Sequence, residues 1–291
     1  MTGRAQSAML PDGRRLHLQH GPIDIVAEAF GPVREVAIAY GQAIKCFESV
    51  LDDLVEELDV LRTPAGDVEP LLRGPVARRM AKAVRPHRPR FVTPMAAVAG
   101  AVADEVLAAM VAGRDLLRAY VNNGGDIAVY LADGQRLTAG IVDNQDAPRL
   151  NGDVALSHDL PVRGLATSGW RGRSHSLGIA DAVTVLARDA AAADVAATLI
   201  GNAVNVGHPA VERRPANELR DDTDLGDLLV TTNVWPLPGE AIEAALEAGA
   251  DRAEQMLHSG LCHGAYIALQ GVVRTVGSHA GKPGISVGAL P

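Results

Sequence analysis

The 291-residue sequence has only two cysteines, Cys46 and Cys262. They stand in no CxxC spacing, so the sequence indicates neither a zinc site nor a disulfide framework. Both are expected as small buried apolar residues. Aromatic residues make up 3% of the chain. Alanine, valine and leucine must therefore fill most of the core, which suits alanine-rich helices packed closely on a sheet. An excess of basic charge is also missing. The formal net charge is -8, so a nucleic-acid-binding surface is not expected. The longest uncharged apolar stretch, Phe91 to Ala103, is too short to span a bilayer. Met1 to Leu10 holds no apolar core of signal-peptide length. A cytoplasmic protein with no nucleic-acid or membrane partner is the expectation. GxSxG, the P-loop and a complete GxGxxG are absent too.

What is present is ordinary for a globular protein: 47% hydrophobic and 21% charged residues. Leu16 to His20 and Ile23 to Phe30 alternate in polarity around Gly21-Pro22, the pattern of a strand pair. Tyr40, Ile44, Phe47, Leu51, Leu54, Leu58 and Leu61 form an apolar stripe at helical spacing, ended by Pro64 and Gly66. Residues 63 to 93 are rich in Arg and Pro and suggest a linker or surface excursion around a short helix. Pro94 to Ala112 predicts a second helix with a small-residue face. Strands are expected on both sides of Asn122-Asn-Gly-Gly-Asp126, at Leu137 to Val142 and at Ala182 to Ala187. A helix capped by Asp189 follows the last of these, and Gly239 to Ser259 predicts another. Strands and helices come in mixed order without a βαβ rhythm. That favours an α+β fold, a largely antiparallel sheet covered by long helices, as a single domain over residues 1–291.

Three segments carry candidate chemistry. Asp194 and Thr198 lie four apart in an alanine-rich run, hence on one helix face. A carboxylate and a hydroxyl so placed are hard oxygen ligands suited to Mg²⁺, and equally an ordinary solvated pair. Asn122-Asn-Gly-Gly-Asp126 has the composition of a hairpin turn, and also of a glycine-lined backbone that a ligand can approach. Ala166-Thr-Ser-Gly-Trp-Arg-Gly-Arg-Ser-His175 crowds hydroxyls, Arg171, Arg173 and His175 into ten positions. Such a loop suits an anion, with His175 as a candidate general base.

The order Asn-x-Gly-Gly-Asp, Ala-Thr-Ser-Gly, Val-Thr-Val-Leu-Ala and Ala-Asp-x-x-Ala-Thr resembles the ApbE superfamily. These are flavin transferases that move FMN from FAD to a protein threonine. Pro94-Met-Ala-Ala-Val-Ala-Gly100 and Gly260-Leu-Cys-His-Gly-Ala-Tyr-Ile-Ala-Leu-Gln270 resemble an uncharacterised ApbE-like branch. The resemblance implies an ApbE-like layered sandwich. It implies a flavin nucleotide, FAD or FMN, with Mg²⁺ at Asp194 and Thr198 beside the FAD diphosphate. It places Asn123, Gly124, Gly125, Asp126, Thr167, Ser168 and Gly169 along the nucleotide; Arg171 and Arg173, by the composition of their loop, are the expected cations for its phosphate.

One departure stands out. The family's His-x-x-Asp-Pro-x-x-Gly segment is missing between Thr-Ser-Gly and the Val-Thr-Val strand, and His175 is the one candidate for its histidine. The leading expectation is FMN transfer, or hydrolysis of the FAD diphosphate, with a protein acceptor among the partners. Two others stay open. One is a metal-independent enzyme or accessory factor acting on a small anionic metabolite of sulfur or cofactor metabolism. The other is a non-catalytic carrier or interaction protein, with a homo-oligomer through the small-residue helix as one form of it.

Overall fold

The computed structural model describes residues 3–142 and 152–277, and the backbone of residues 285–287. Strands β1 (Gln6–Met9), β2 (Leu16–His20) and β3 (Ile23–Phe30) come first. Helices α1 (Val33–Glu56), α2 (Leu58–Leu61), α3 (Pro75–Val84) and α4 (Val98–Val111) follow. Six strands then lead to helix α5 (Ala190–Ala203): β4 (Arg118–Asn123), β5 (Asp126–Leu131), β6 (Arg136–Ile141), β7 (Gly152–Ser157), β8 (Gly164–Ser168) and β9 (Ala182–Ala187). The remainder is β10 (Val211–Pro215), α6 (Ala216–Leu219), β11 (Leu229–Val234), α7 (Gly239–His258), β12 (Gly264–Leu269), β13 (Val272–Val276) and β14 (Ile285–Val287). Every strand pairing with a resolved register is antiparallel. The fold is α+β, as the sequence predicts.

The chain divides into two compact units that interleave in sequence. The first comprises Met1–Leu137, Ser157–Leu165 and Arg188–Asp194; the second comprises Thr138–Leu156, Ala166–Ala187 and Val195–Pro291. In the first unit the strands run in the order β1-β2-β3-β4-β5-β8. Helix α4 packs on β4 and β5 and against α1 and α3. Its core is built from Leu18, Ile25, Phe47, Met80, Val102, Val106, Met110 and Val121. In the second unit β8, β9, β12 and β13 are successive neighbours, and α7 packs on β12 and β13. Val183, Val185, Ile200, Leu246, Tyr266 and Ile267 form its core. With so few aromatics, both cores are mostly aliphatic.

One expectation needs correction. The apolar stripe from Tyr40 to Leu61 is not one helix, because α1 ends at Glu56 and α2 begins at Leu58. Between them Glu57 turns its carboxylate to the amides of Arg73, at 2.6 Å, and Gly74, at 2.9 Å. Gly74 immediately precedes α3, so Glu57 anchors the start of that helix. Residues 63–93 are not a linker but the other alternative, a surface excursion around a short helix. Helix α3 buries Val76, Ala77, Met80 and Val84. Arginines of the segment make ion pairs at or near the surface: Arg79 with Glu105 at 2.7 Å, Arg88 with Asp67 at 3.0 Å, and Arg85 with Glu69.

By length and composition, Pro94–Val111 could cross a membrane. Half of that stretch is buried, and the middle of α4 lies in the core of its unit. Its glycine explains why the small-residue face is needed. A Cβ on Gly100 would sit 2.3 Å from the carbonyl oxygen of Ala190, and one on Gly164 would sit 2.1 Å from that of Asp189. The start of α5 therefore meets backbone on two sides, where a methyl group cannot fit. Gly100→Ala is expected to destabilise the protein by about 1–3 kcal/mol, because backbone cannot retreat as a flexible side chain would. Urea unfolding monitored by circular dichroism checks this; a midpoint equal to wild type would contradict it.

Candidate functional site

Helix α4 begins without its own cap. Ala97 precedes it and has no side chain able to accept a hydrogen bond from the first turn. The missing acceptor comes from α5: the Asp194 carboxylate accepts from the Gly100 amide at 3.0 Å. The exchange is mutual. Asp104, on α4, accepts from the amides of Ala190 at 3.0 Å and Ala191 at 2.9 Å, the first two residues of α5. Asp189 adds a local cap through the Ala192 amide at 2.7 Å, as its position in the sequence predicts. Each helix thus supplies a carboxylate to the positive end of the other's dipole.

Both carboxylates pay for this position in proton affinity. Burial pushes Asp104 up to about 6, against the opposing effect of the Ala191 and Ala190 amides, and the nearby Asp189 charge adds to the rise. Burial likewise raises Asp194; the Gly100 and Ala99 amides oppose it, and the Asp104 charge reinforces it. No side-chain cation appears among the groups acting on Asp194. Asp194 and Thr198 are half-buried, one turn apart, whereas Val195, Ala196 and Ala197 between them are buried. The face that carries the pair is therefore the more open side of α5 at this point.

The Asn-Gly-Gly-Asp segment reaches the same place. It is the β4–β5 hairpin turn, with Asn123 paired to Asp126 and with φ of +66° at Gly124 and +112° at Gly125. The Asn122 carboxamide closes the turn on the Gly125 amide at 2.8 Å. Asn123 is buried, and its Nδ2 donates to the carbonyl of Ala99 at 3.1 Å. Asn123 and Asp194 thus hold two consecutive residues of α4, Ala99 and Gly100. Asp126 is buried as well.

The remaining candidates lie in the second unit. Thr167 shares a hydrogen bond with Thr184 at 2.8 Å, and Ser168 is half-buried. Gly169 passes so close to Asp181 that a Cβ would lie 2.2 Å from its carbonyl oxygen. Asp181 also holds the loop by side chain, accepting from Trp170 Nε1 and Arg171 Nε at 3.2 Å each. Arg171 is stacked on Trp170, its guanidinium carbon 4.4 Å from the ring centre. Its charge is thus matched by an internal carboxylate, while Arg173 is exposed. His175 is half-buried, and its Nε2 has no hydrogen-bond partner. Burial lowers its pKa, Arg220 lowers it further, and Asp224 opposes both.

Asp104 and Asp181 organise these segments, and neither stands out in the sequence. An aspartate inside an apolar helix such as Val98–Val111 is the one available signal for Asp104. Among the described residues one group has metal-ligand geometry, Asp133, His158 and Asp159, whose ligand atoms lie within 4.8 Å of one another. Both of its carboxylates stand open to solvent. A cavity of about 210 Å³ lined by Cys46, Ser49, Asp53, Pro75 and Glu105 lies elsewhere in the first unit. Cys46 and Cys262 are both free thiols; Cys262 is buried as expected, whereas Cys46 is only half-buried.

The frame is antiparallel α+β, and in it a Gly-Gly hairpin and an aspartate of an alanine-rich helix meet one helix start; the matching family model makes the protein ApbE-like. The chain belongs to the family described as AbpE bacteria, whose model matches residues 7–275. It is 35% identical over 197 residues to a UPF0280 protein of Methanopyrus kandleri, a match covering 67% of this chain and 77% of the relative. It is 42% identical over 132 residues to a UPF0280 protein of Methanothrix thermoacetophila, covering 45% of this chain and 52% of that relative. The chain thus spans about half the length of the Methanothrix protein. It is also similar to the crystal structure of Pseudomonas stutzeri flavinyl transferase ApbE in its apo form. That match has a TM-score of 0.45 and 14% identity, covering 96% of this chain and 98% of that chain.

The raised carboxylates give a signed pH dependence. Folded Asp104 binds its proton more tightly than an unfolded aspartate near 3.8. Between about 4 and 6 the folded chain therefore holds more protons than the unfolded one, so this group's contribution to stability falls as pH rises. The urea midpoint of wild type, in chelator, is expected to lose more between pH 4.5 and pH 7 than that of Asp104→Asn. Parallel pH profiles for the two proteins would contradict the assignment.

Proposed function

We propose that the protein binds a flavin nucleotide, FAD or FMN, or a similar diphosphate, with Mg²⁺ held by Asp194 and Thr198. Membership of the AbpE family supports this reading. The observation that carries it is the meeting of Asn123 and Asp194 on Ala99 and Gly100. The donor set fits the ion. Asp194 is a desolvated carboxylate opposed by a second carboxylate, and no side-chain cation compensates it. A carboxylate offers about four lone-pair positions, so one that accepts amide hydrogens still has capacity for a metal. Thr198 adds a neutral oxygen of the kind Mg²⁺ accepts.

Bound Mg²⁺ would supply positive charge against the diphosphate and the departing AMP. The rest of the chemistry falls to the chain. Asn123, Gly124, Gly125, Asp126, Thr167, Ser168 and Gly169 are the residues the family resemblance would assign to nucleotide binding. Arg173 would provide a cation, and Arg171 would position the loop through Asp181. His175, with its lowered pKa and unpartnered Nε2, is suited to take a proton near neutral pH. In FMN transfer that proton leaves the hydroxyl of a protein acceptor as its oxygen bonds to the FMN phosphorus and the bond to AMP breaks. With water in place of the acceptor, the same site would hydrolyse FAD. The two free thiols accord with work in a reducing compartment, the cytoplasm.

Calorimetry of FAD and FMN with and without Mg²⁺ tests the proposal. Wild type is expected to bind in a Mg²⁺-dependent way. Asp194→Asn keeps an acceptor for the Gly100 amide while removing the charge, and is expected to lose the Mg²⁺ dependence. Thr198→Val is expected to weaken it. A folded wild type that binds neither nucleotide in either condition would sink the reading.

A further inference from the structure

The two-stranded ribbon of β10 and β11, in the second unit, holds polar groups that its own fold leaves unused. Thr231 on β11 is only 5% exposed, yet its Oγ1 has no hydrogen-bond partner. An unmet buried hydroxyl costs about 1–3 kcal/mol, so a protein that keeps one has a reason to. Directly across the ribbon, Arg213 is the register partner of Thr231. Cross-strand partners present their side chains on the same face, within reach of one another. The Arg213 guanidinium is half-buried and burial lowers its pKa. Its hydrogen-bond partners are neutral: Asn205 Oδ1, and the carbonyl of Val206 at 3.5 Å. Among the described residues no carboxylate pairs with it.

A β-bulge at the register shift between Glu212 and Arg213 leaves Thr232 without a cross-strand partner, and its Oγ1 also has no hydrogen-bond partner. Bulges of this kind re-aim a side chain and recur beside binding sites. The loop that carries His175 is fastened to the same place. The Thr231 amide donates to the carbonyl of Ser176 at 2.8 Å. Asn202 receives the Leu177 amide at 2.9 Å. Asn205 donates to the Leu177 carbonyl at 3.0 Å while its other end holds Arg213. One carboxamide therefore fixes both the loop and the guanidinium. His175, next to Ser176, contributes a third unpartnered atom, Nε2.

We propose that Arg213 and Thr231 form a binding site for a small oxyanion, a phosphate or carboxylate group, at the face of the β10–β11 ribbon beside the His175 loop. A guanidinium held by neutral acceptors keeps its full charge for an incoming anion and still has N–H donors to offer. The Thr231 hydroxyl, which no protein group engages, adds a neutral donor. Asn205 and the bulge hold the pair in place before the anion arrives, which lowers the cost of binding. Its residues are other than Asp194 and Thr198, and the inference does not rest on the flavin reading. It gives the chain a place for an anionic group of a substrate or acceptor in addition to the nucleotide.

Calorimetric titration of the full chain with inorganic phosphate, and separately with malonate, tests the site. Wild type is expected to bind at least one of them; phosphate alone would assign a phosphoryl group, malonate alone a carboxylate. Thr231→Val, near in shape and free of the unmet hydroxyl, is expected to unfold no more easily than wild type yet bind the anion about tenfold more weakly, as for a hydrogen bond to a charged group. Arg213→Gln is expected to abolish binding. Wild type that binds neither probe would overturn the proposal, as would Thr231→Val binding both as tightly as wild type. FAD titrated with Mg²⁺ into Thr231→Val keeps the two sites apart. Nucleotide binding retained while anion binding falls supports a second site, and parallel loss of both would overturn the separation.

Discussion

The crossed exchange of carboxylates between α4 and α5 is the constraint on which the rest of this structure depends. Asp194 caps α4, which starts without a cap of its own, and Asp104 takes the first two amides of α5. Neither arrangement is open to helices kept apart by large side chains. Gly100 and Gly164 let the start of α5 meet backbone on two sides, and the run Ala190–Ala193 adds only methyl groups. The scarcity of aromatics and the abundance of alanine thus have one physical meaning here: close helix approach in place of bulky filling. Desolvation of the two carboxylates opposes the gain, and their upward pKa shifts record that cost.

The same exchange has a functional side. It fixes Asp194 at one end of a short open face on α5, one turn from Thr198. It brings that aspartate to the residue next to the one held by Asn123. A half-buried carboxylate whose pKa burial already raises, with backbone amides as its partners and another carboxylate acting on it, is poised to gain from a cation. The raised pKa and the proposed Mg²⁺ site are two consequences of one placement. In the second unit a similar economy appears at Asn205, whose two ends hold the His175 loop and Arg213 together.

Elements with a strong local signal were legible in the sequence. The β2–β3 pair, the Asn-Gly-Gly-Asp hairpin, the Asp189-capped helix and helix α7 all follow from spacing, turn residues and capping, and they form where that chemistry points. Strands β7, β10 and β11 and the division of α1 from α2 carry little such signal. They are set by partners distant in sequence, as Glu57 is by Arg73 and Gly74. The candidate site divides in the same way. Asp194, Thr198 and the Gly-Gly turn were visible as motifs, whereas Asp104 matters only because α5 begins beside it. Arg213 and Thr231 become a pair only through the register of the ribbon. Arg171 shows the converse: a cation that suits an anion on sequence alone is matched by Asp181 in the fold.

The central claim is that Asp194 and Thr198 hold a divalent ion at the start of α4. Paramagnetic Mn²⁺, a substitute for Mg²⁺ at oxygen-ligand sites, tests it most directly in an isotope-labelled sample. At substoichiometric Mn²⁺ the amide resonances of Ala99, Gly100, Asp194 and Thr198 are expected to broaden first, and excess Mg²⁺ to restore them. Broadening that spares these four and falls on other carboxylates, such as Asp133 and Asp159, would contradict the account.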